Sequence, residues 1–530
     1  MFRVLTLTAL SVALAGTPAT SARAQQALPD MGSSAAEQLT PAQEAIYGAM
    51  TLRELRRLGM LLEDPLLDAW YHGMAYRLVA SDSRTRQDYT FMLLRDRQIN
   101  AFATVGGYIG MNSGLILAAE VEDEVAGVLA HEIAHVTQKH VLRAVERAQK
   151  DSVPILLGML AAVVAAQQAG SRSSGDATQA AIAGGLSLIQ QRQIDYTRSN
   201  ESEADRIGIQ RLAAAGYDPL AMAQMFGRMS RFERNNTGGR AAPEYLRTHP
   251  VTTTRMSEAR ERAERMRASQ TVSFAGGPMA ANPLLPGGLG VSADATGRPG
   301  ARFAWAQERL RVLTADSPNA AAAEYTRMRA AGERFGPPQR YGMALAQLRM
   351  GHGAEALQEL KALAEAEPGD LWIELALAEA EFAAGHAGTA RQRFERLAAG
   401  YPNNRAVALT YARVLGEVGT AEAGRRAQEL LRPLLRGGSD DPELHVRFAR
   451  ASELAGDLSR AAEAHAEVAF LNGRAEDALN QLQALKADDD LDYYQRARID
   501  ARIAAMTPIV LEMRRQGLRP EDQGRGVVQR

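Results

Sequence analysis

Residues 123–135 read D-E-V-A-G-V-L-A-H-E-I-A-H. Apolar residues recur here at helical spacing without a proline, which predicts a helix that is apolar on most sides. His131 and His135 are four residues apart, so their imidazoles share one helix face and can bind one zinc ion, which lowers the pKa of its water. Glu132 lies one step round the helix, where it can take a proton from that water. A surface helix with two chance histidines is the alternative, but unpaired histidines on an apolar helix are costly. His140 follows His131 by nine residues, so it is expected to face away from the metal and to be structural.

A second acidic helix is predicted downstream, where residues 200–205 read N-E-S-E-A-D. Glu201 and Asp205 are four apart and therefore share a face. A catalytic zinc usually has three protein ligands and one open position, and Glu201 could supply the third ligand. Asp205 either hydrogen-bonds a ligand histidine and fixes its tautomer or supplies a proton. The sequence thus predicts one Zn²⁺ per chain.

The succession H-E-x-x-H and N-E-x-x-A-D resembles the zinc metallopeptidase family that includes the CAAX prenyl protease and HtpX. In that family the glutamate of the second motif binds zinc, which implies this role for Glu201, and the aspartate corresponds to Asp205. The run T-H-P-V-T-T-T-R at 248–255 resembles a further element of the family. His249 there either stabilises the oxyanion or binds zinc as a fourth ligand that holds the enzyme latent, and Arg255 binds the developing charge or the substrate backbone. A capped turn is the plainer interpretation of this run.

Two strand-like runs precede the first motif, at 89–94 and at 99–112, and glycines at 106 and 107 interrupt the second. The N-A-F-A segment resembles the family strand that borders the active-site cleft. Asn100, Ala101 and Phe102 would then bind an extended substrate by strand addition. An ordinary strand without a substrate role is the alternative.

Composition sets wider limits. The chain has 530 residues, enough for two to four domains. It is 46% hydrophobic and 23% charged, with a net charge of −1, so neither nucleic acid nor an anionic surface is expected as an obligatory partner. It contains no cysteine, which excludes disulfides, thiolate metal ligands and a cysteine nucleophile.

The N-terminus has the pattern of a signal peptide. One arginine precedes a short apolar run, and Ala22-Arg23-Ala24 predicts cleavage after Ala24, so residues 1–24 are expected to be removed and the protein to be periplasmic. An uncleaved anchor is the alternative, although the apolar run is short for a bilayer. The apolar region 153–189 is predicted to form a hairpin that packs on the catalytic domain as a lid, with peripheral membrane contact as the second interpretation.

The C-terminal half has a repeat of 34 residues. Gly351, Gly385 and Gly419 are spaced by this period, as are Ala356 and Ala390. This is the period of tetratricopeptide repeats, in which the glycine separates paired helices and the alanine allows their close approach. The predicted domains are a metallopeptidase domain at 25–272, a Gly/Pro-rich linker at 273–300, five or six helix pairs at 301–505 and a polar tail at 506–530.

The predicted fold is an α+β zincin-like metallopeptidase domain, mostly helical with a small sheet, followed by an all-α tetratricopeptide solenoid. This order resembles the periplasmic BepA-like metalloproteases. The resemblance implies an endopeptidase that degrades misfolded or stalled outer-membrane proteins, a chaperone role, and the β-barrel assembly machinery as a partner of the repeats. A repeat scaffold with a latent zinc site is the alternative. A prenyl-protein protease is disfavoured, because that activity belongs to multi-spanning members of the family.

Overall fold

The computed structural model describes residues 39–82, 87–147, 194, 196–235, 244–270, 300, 302–333, 335–436 and 438–515. The predicted signal peptide, the apolar region 153–189, the linker up to residue 299 and residues 516–530 therefore lie outside the described residues. The elements of the N-terminal half are α1 (Pro41–Arg57), α2 (Pro65–Ala80), β1 (Thr90–Leu94), β2 (Ala101–Ala103), β3 (Tyr108–Asn112), α3 (Ser113–Ala118), α4 (Glu122–Thr137), α5 (140–147), α6 (196–214), α7 (Leu220–Asn235), α8 (Glu244–Thr248) and α9 (Thr253–Gln270). Within the described ranges, no helix combines the length and apolarity that crossing a membrane requires.

The three strands form one small sheet in the order β1-β3-β2. β1 runs parallel to β3, whereas β2 runs antiparallel to it with Phe102 opposite Gly110. Gly106 and Gly107 turn the chain between β2 and β3 with φ of 77° and 83°. A Cβ on Gly107 would lie 2.1 Å from the Asp88 carbonyl oxygen, so glycine is required there. The predicted strands with a glycine break are confirmed, and β2 forms an edge of the sheet.

Helix α4 runs through the centre of this domain. Every residue from 124 to 136 is buried, as expected for a helix with few polar positions. Small residues allow its neighbours to approach: Gly127 lies against Met222 of α7, and Gly208 of α6 lies against the backbone of His131. Polar side chains on α4 are therefore held in a fixed, water-poor setting.

The described residues of the second half form six helix pairs. They are α10 (Phe303–Leu313) with α11 (Pro318–Ala330), α12 (Pro337–Arg349) with α13 (Gly353–Ala366), α14 (Leu371–Ala383) with α15 (Ala387–Gly400), α16 (Arg405–Val418) with α17 (Ala421–Leu435), α18 (Pro442–Ala455) with α19 (Leu458–Leu471), and α20 (Ala475–Lys486) with α21 (Tyr493–Arg515). Gly351, Gly385 and Gly419 have positive φ between paired helices, and Ala356 and Ala390 are buried. The predicted repeat architecture is confirmed.

The predicted C-terminal boundary is wrong by ten residues. Helix α21 continues through 506–515, which the sequence assigned to a polar tail. Met506 and Val510 on this segment are buried in a cluster with α19 and α20. The apolar stripe of the last repeat thus extends past the point where polar residues begin to dominate the sequence.

The repeats pack against the metallopeptidase domain through α2. Asp64 accepts a hydrogen bond from Leu67 N at the start of α2, and it also accepts two bonds of 2.7 Å from Arg309 of α10. Four residues on, Asp68 accepts a bond of 2.9 Å from Arg405 of α16. Because these ion pairs are largely buried, they fix the orientation of the solenoid on the domain that carries the two motifs.

Candidate metal centre

The two histidines of α4 converge as their spacing predicts. The His131 and His135 rings have centroids 4.6 Å apart, and their Nε2 atoms are separated by 2.9 Å. Both residues are buried. Two imidazole nitrogens this close, away from water, are the arrangement that a shared metal ion stabilises.

Helix α6 brings Glu201 to the same point. Its Oε2 lies 3.4 Å from His131 Nε2, and its Oε1 lies 3.4 Å from His135 Nε2. Burial opposes ionisation of this carboxyl, but its contacts with the histidines hold the pKa of Glu201 well below its usual range. The predicted third ligand is therefore an anionic donor beside the two imidazoles.

His249, at the end of α8, is the fourth member of the group. Its Nδ1 lies 2.9 Å from Glu201 Oε1, and its ring stacks on Tyr245 at 4.7 Å. Donor atoms of His131, His135, Glu201 and His249 all lie within 4.8 Å of one another, and we call these residues the four-donor cluster. Tetrahedral zinc with bonds near 2.1 Å separates its ligand atoms by about 3.4 Å, so the cluster fits zinc in donor type and spacing.

Asp205 and Arg255 lie behind the cluster. Asp205 Oδ1 lies 2.9 Å from His131 Nδ1, on the opposite side of the ring from the metal-facing nitrogen. Arg255 donates from Nε and Nη2 to the two oxygens of Asp205 at 2.8 Å each, and its Nη1 lies 2.8 Å from Glu201 Oε2. Although burial opposes it, contact with His131 and Arg255 holds the pKa of Asp205 below its usual value.

Arg255 lies in a more enclosed position than its predicted role requires. The sequence assigned it to the developing charge or to the substrate backbone, which requires an open position. Its side chain is only 8% exposed, and its guanidinium is engaged by Asp205, Glu201 and the Pro250 carbonyl. Arg255 therefore forms ion pairs with the Asp205 and Glu201 carboxylates, and its role toward substrate stays a prediction.

Glu132 has the environment of a buried base. Its carboxylate is 1% exposed, and neither oxygen has a hydrogen-bond partner among the described residues. His249 Nε2 is 3.9 Å from Oε1. A buried carboxylate without partners is costly unless something polar binds beside it, which fits a group that receives a proton during a reaction.

His140 does not face away from the centre, and this expectation is wrong. Helix α4 ends at Thr137, Lys139 adopts a left-handed φ of 51°, and α5 starts in a new direction. His140 Nδ1 consequently lies 2.9 Å from His135 Nδ1. Helical spacing could not reveal this contact because it assumes that the helix continues, and the only sequence signal was the third histidine itself.

The edge strand β2 lies alongside α4, but only some of its residues have backbone groups that point to the free edge of the sheet. Asn100 O accepts from Asn112 N, and Thr104 N donates to Tyr108 O, so the even-numbered residues in and next to β2 bond to β3. The backbone groups of Ala101 and Ala103 therefore point to the free edge. Of the predicted residues Asn100, Ala101 and Phe102, only Ala101 presents its backbone outward.

Helix α8 covers one end of this edge. Tyr245 N donates to Ile99 O at 3.3 Å, and Ala101 is fully buried. Ala103 is partly exposed and lines a cavity together with His135 and Lys139. The accessible part of the edge is thus one residue further along the strand than the sequence suggested, next to a cluster histidine.

Fold and site together define a metallopeptidase domain of the H-E-x-x-H class with an attached tetratricopeptide domain. The sequence model of peptidase family M48 matches residues 65–263, and a tetratricopeptide repeat model matches residues 347–414. The beta-barrel assembly-enhancing protease of Escherichia coli strain K12 is 30% identical over 476 residues, which are 90% of each chain. The chain belongs to peptidase family M48.

Other relatives match shorter regions. The beta-barrel assembly-enhancing protease of Yersinia pestis is 39% identical over 250 residues, 47% of this chain and 50% of that protein. The chain thus spans about half the length of this relative, and 52% of a similarly named protein from Vibrio cholerae. The mitochondrial metalloendopeptidase OMA1 of Saccharomyces cerevisiae is 31% identical over 158 residues, 30% of this chain and 41% of that protein.

Proposed function

We propose that this protein is an exported, periplasmic zinc endopeptidase that degrades misfolded or stalled outer-membrane proteins and also assists their assembly. The observation that carries the proposal is the four-donor cluster beside the Glu132 carboxylate, which has no hydrogen-bond partner among the described residues. His131, His135 and Glu201 would hold the ion. Bound zinc polarises a peptide carbonyl and makes water more acidic.

The residues of the chain then have distinct tasks. Glu132 accepts the proton of the attacking water and delivers it to the leaving amine, so the carboxylate is regenerated in each cycle. Asp205 orients His131 through the contact at Nδ1, and Arg255 holds Asp205 and Glu201 in place. For His249 two roles remain open: a fourth ligand that keeps the enzyme latent, or a donor to the oxyanion.

X-ray absorption on the zinc-loaded wild type and His249→Ala separates these two roles. A zinc with four protein ligands that loses one nitrogen in the variant assigns His249 as a latch. Three protein ligands in both proteins assign it to the oxyanion.

Substrate is expected to bind as an added strand along β2. The outward backbone groups of Ala103 can pair with an extended segment, and those of Ala101 can do so if α8 moves away from the strand edge. Strand addition recognises backbone rather than particular side chains, and only unfolded or unpaired segments offer it. Outer-membrane proteins that have not closed their barrels present such segments.

The solenoid supplies a surface for protein partners. Helix-pair repeats form extended surfaces that bind peptides or domains, and the buried ion pairs on α2 hold this surface in a fixed orientation to the metal centre. The relatives' names add the context of β-barrel assembly. We therefore propose unfolded outer-membrane proteins and the β-barrel assembly machinery as its partners.

The test compares Glu132→Gln with wild type on an unfolded outer-membrane protein, both loaded with zinc. Glutamine keeps the shape but cannot accept the proton, so cleavage is expected to fall by at least about a hundredfold. Glu264→Gln, on the exposed face of α9, is the control and should cleave normally. Equal cleavage by Glu132→Gln refutes the peptidase mechanism.

The second candidate is a chaperone or scaffold whose zinc site is mostly latent. The observation that favours it is His249, whose ring lies 2.9 Å from Glu201 Oε1 and 3.9 Å from Glu132 Oε1. Under this alternative, Glu132→Gln restores the outer-membrane barrier of a deletion strain as well as wild type does. Under the main proposal, the variant restores it only in part.

A further inference from the structure

The chain reverses direction sharply just after the second cluster histidine. Gln138 N and Lys139 N close the last turn of α4 on Ala134 O and Val136 O, and Lys139 then adopts φ 51°. A left-handed backbone is uncommon for a residue other than glycine, asparagine or aspartate and costs roughly 1 kcal/mol or more. Backbone strain of this kind persists where packing of the surrounding structure holds the strained conformation in place.

The geometry created here places His140 against His135. His140 is 3% exposed, and the two rings meet edge to face with centroids 4.8 Å apart. The Nδ1 atoms are 2.9 Å apart, which is a hydrogen-bond distance. His140 Nε2 lies 3.2 Å from Glu203 Oε2, and Arg143 Nη1 donates to the same oxygen at 3.1 Å.

Only one arrangement of protons satisfies every contact in this chain of groups. A neutral histidine that ligates a metal through Nε2 carries its proton on Nδ1. His135 Nε2 belongs to the four-donor cluster, so its Nδ1–H must donate to His140 Nδ1. His140 then carries its own proton on Nε2 and donates it to Glu203. The relay therefore runs from His135 through His140 to the carboxylate.

We propose that His140 and Glu203 are positioning residues for the metal ligand His135. The relay fixes the tautomer and ring angle of His135, as Asp205 does for His131. A single helix supplies both supports, because Glu203 and Asp205 lie on different faces of α6 on either side of the cluster. This inference rests on the proposed metal centre, and it adds a role that no member of the four-donor cluster performs.

The test measures zinc affinity by competition with a chromophoric chelator, and the visible spectrum of the Co²⁺-substituted protein. His140→Phe keeps a ring but removes the acceptor, so we expect zinc binding about ten- to hundredfold weaker and an altered Co²⁺ spectrum. His140→Asn places an oxygen near the Nδ1 position and should bind zinc within a few-fold of wild type. This rescue is a readout that a purely structural role would not give.

His72→Phe is the matched control, since His72 also packs among aromatic rings and bonds through Nε2 to the Phe91 carbonyl, 3.2 Å away. It should leave zinc affinity unchanged. Wild-type affinity in His140→Phe, or equal losses in His140→Phe and His140→Asn, overturns the proposal.

Two further outcomes are separable. Should His140→Phe fail to fold, Glu203→Ala decides instead, because it cuts the relay one step further from the metal. Several-fold weaker zinc binding by Glu203→Ala supports the relay, and unchanged binding overturns it. A wild-type protein that binds no zinc overturns the proposed function itself.

Discussion

Replacing Arg255 by methionine tests how the buried charges of the centre are balanced. Arg255 bridges Asp205 and Glu201, whose carboxylates are 2% and 4% exposed. Methionine fills similar space without charge, so the two carboxylates together lose their shared cation and three close contacts, two at Asp205 and one at Glu201. Removing one partner from a buried ion pair costs about 3–5 kcal/mol, because the other charge stays buried without compensation. We expect a loss of this size in the metal-free protein.

The same helix offers a matched control. Arg260 on α9 pairs with Glu264, but their side chains are 73% and 57% exposed. Exposed pairs contribute about 0–1 kcal/mol, so Arg260→Met should change stability very little. The assay is a urea titration in chelator, with unfolding of α6 and α9 followed by hydrogen–deuterium exchange. Saturating zinc should reduce the cost of Arg255→Met, because a bound cation neutralises Glu201.

The reasoning fails if Arg255→Met loses less than about 1 kcal/mol in the metal-free protein, no more than Arg260→Met does. That result would mean that the carboxylates are neutral or hydrated without Arg255. Arg255→Lys is expected to have an intermediate stability. Lysine keeps the charge but cannot form the fork on Asp205, so it should fall between wild type and Arg255→Met.

Three other outcomes are expected. Burial raises the pKa of Asp68 to about 7 despite Arg405, so the folded state holds this proton more tightly than the unfolded state, and stability should fall as pH rises from about 4 to 7. Asp68→Asn should flatten that part of a melting-temperature profile, and an unchanged profile would contradict the assignment. Gly208→Ala places a Cβ 3.1 Å from His131 N and 2.9 Å from Met222 Cε, so it should cost about 1–3 kcal/mol in urea unfolding. Gly388→Ala, with open space around it in α15, should instead stabilise by about 0.4–1 kcal/mol, and equal effects of the two changes would refute the packing argument. Finally, chelation should lower the melting temperature by the equivalent of about 2.7 kcal/mol relative to zinc at a hundredfold excess over Kd, and calorimetry showing no shift would argue against a bound ion.

Much of the metal centre could be predicted from local spacing. Residues four apart on one helix share a face wherever the helix lies, so the convergence of His131 with His135, and the common face of Glu201 and Asp205, followed from periodicity alone. The repeat helices could be predicted equally well, because a period of 34 residues indicates a structural unit that packs only on its neighbours. The pairing of Glu201 with the histidines came from resemblance, and the structure brings these groups together.

The errors arose where the chain leaves regular structure or where partners come from distant elements. His140 was misplaced because Lys139 breaks the helix, and no propensity scale predicts a left-handed lysine. The ion pairs of Arg255 were not foreseen, because its motif identifies the residue and not its neighbours. The outward residues of β2 depended on its pairing register, which a single-strand pattern leaves undetermined.

The sequence by itself determined the repeats and the convergence of His131 with His135, because each depends on spacing within one element. Only the tertiary structure decided which donors have a second partner, which carboxylates share Arg255, and how the solenoid is held by Asp64 and Asp68. These contacts depend on which side chains meet when elements far apart in the chain pack together. Such contacts form when buried charges and polar atoms must all find partners in the same packed interior.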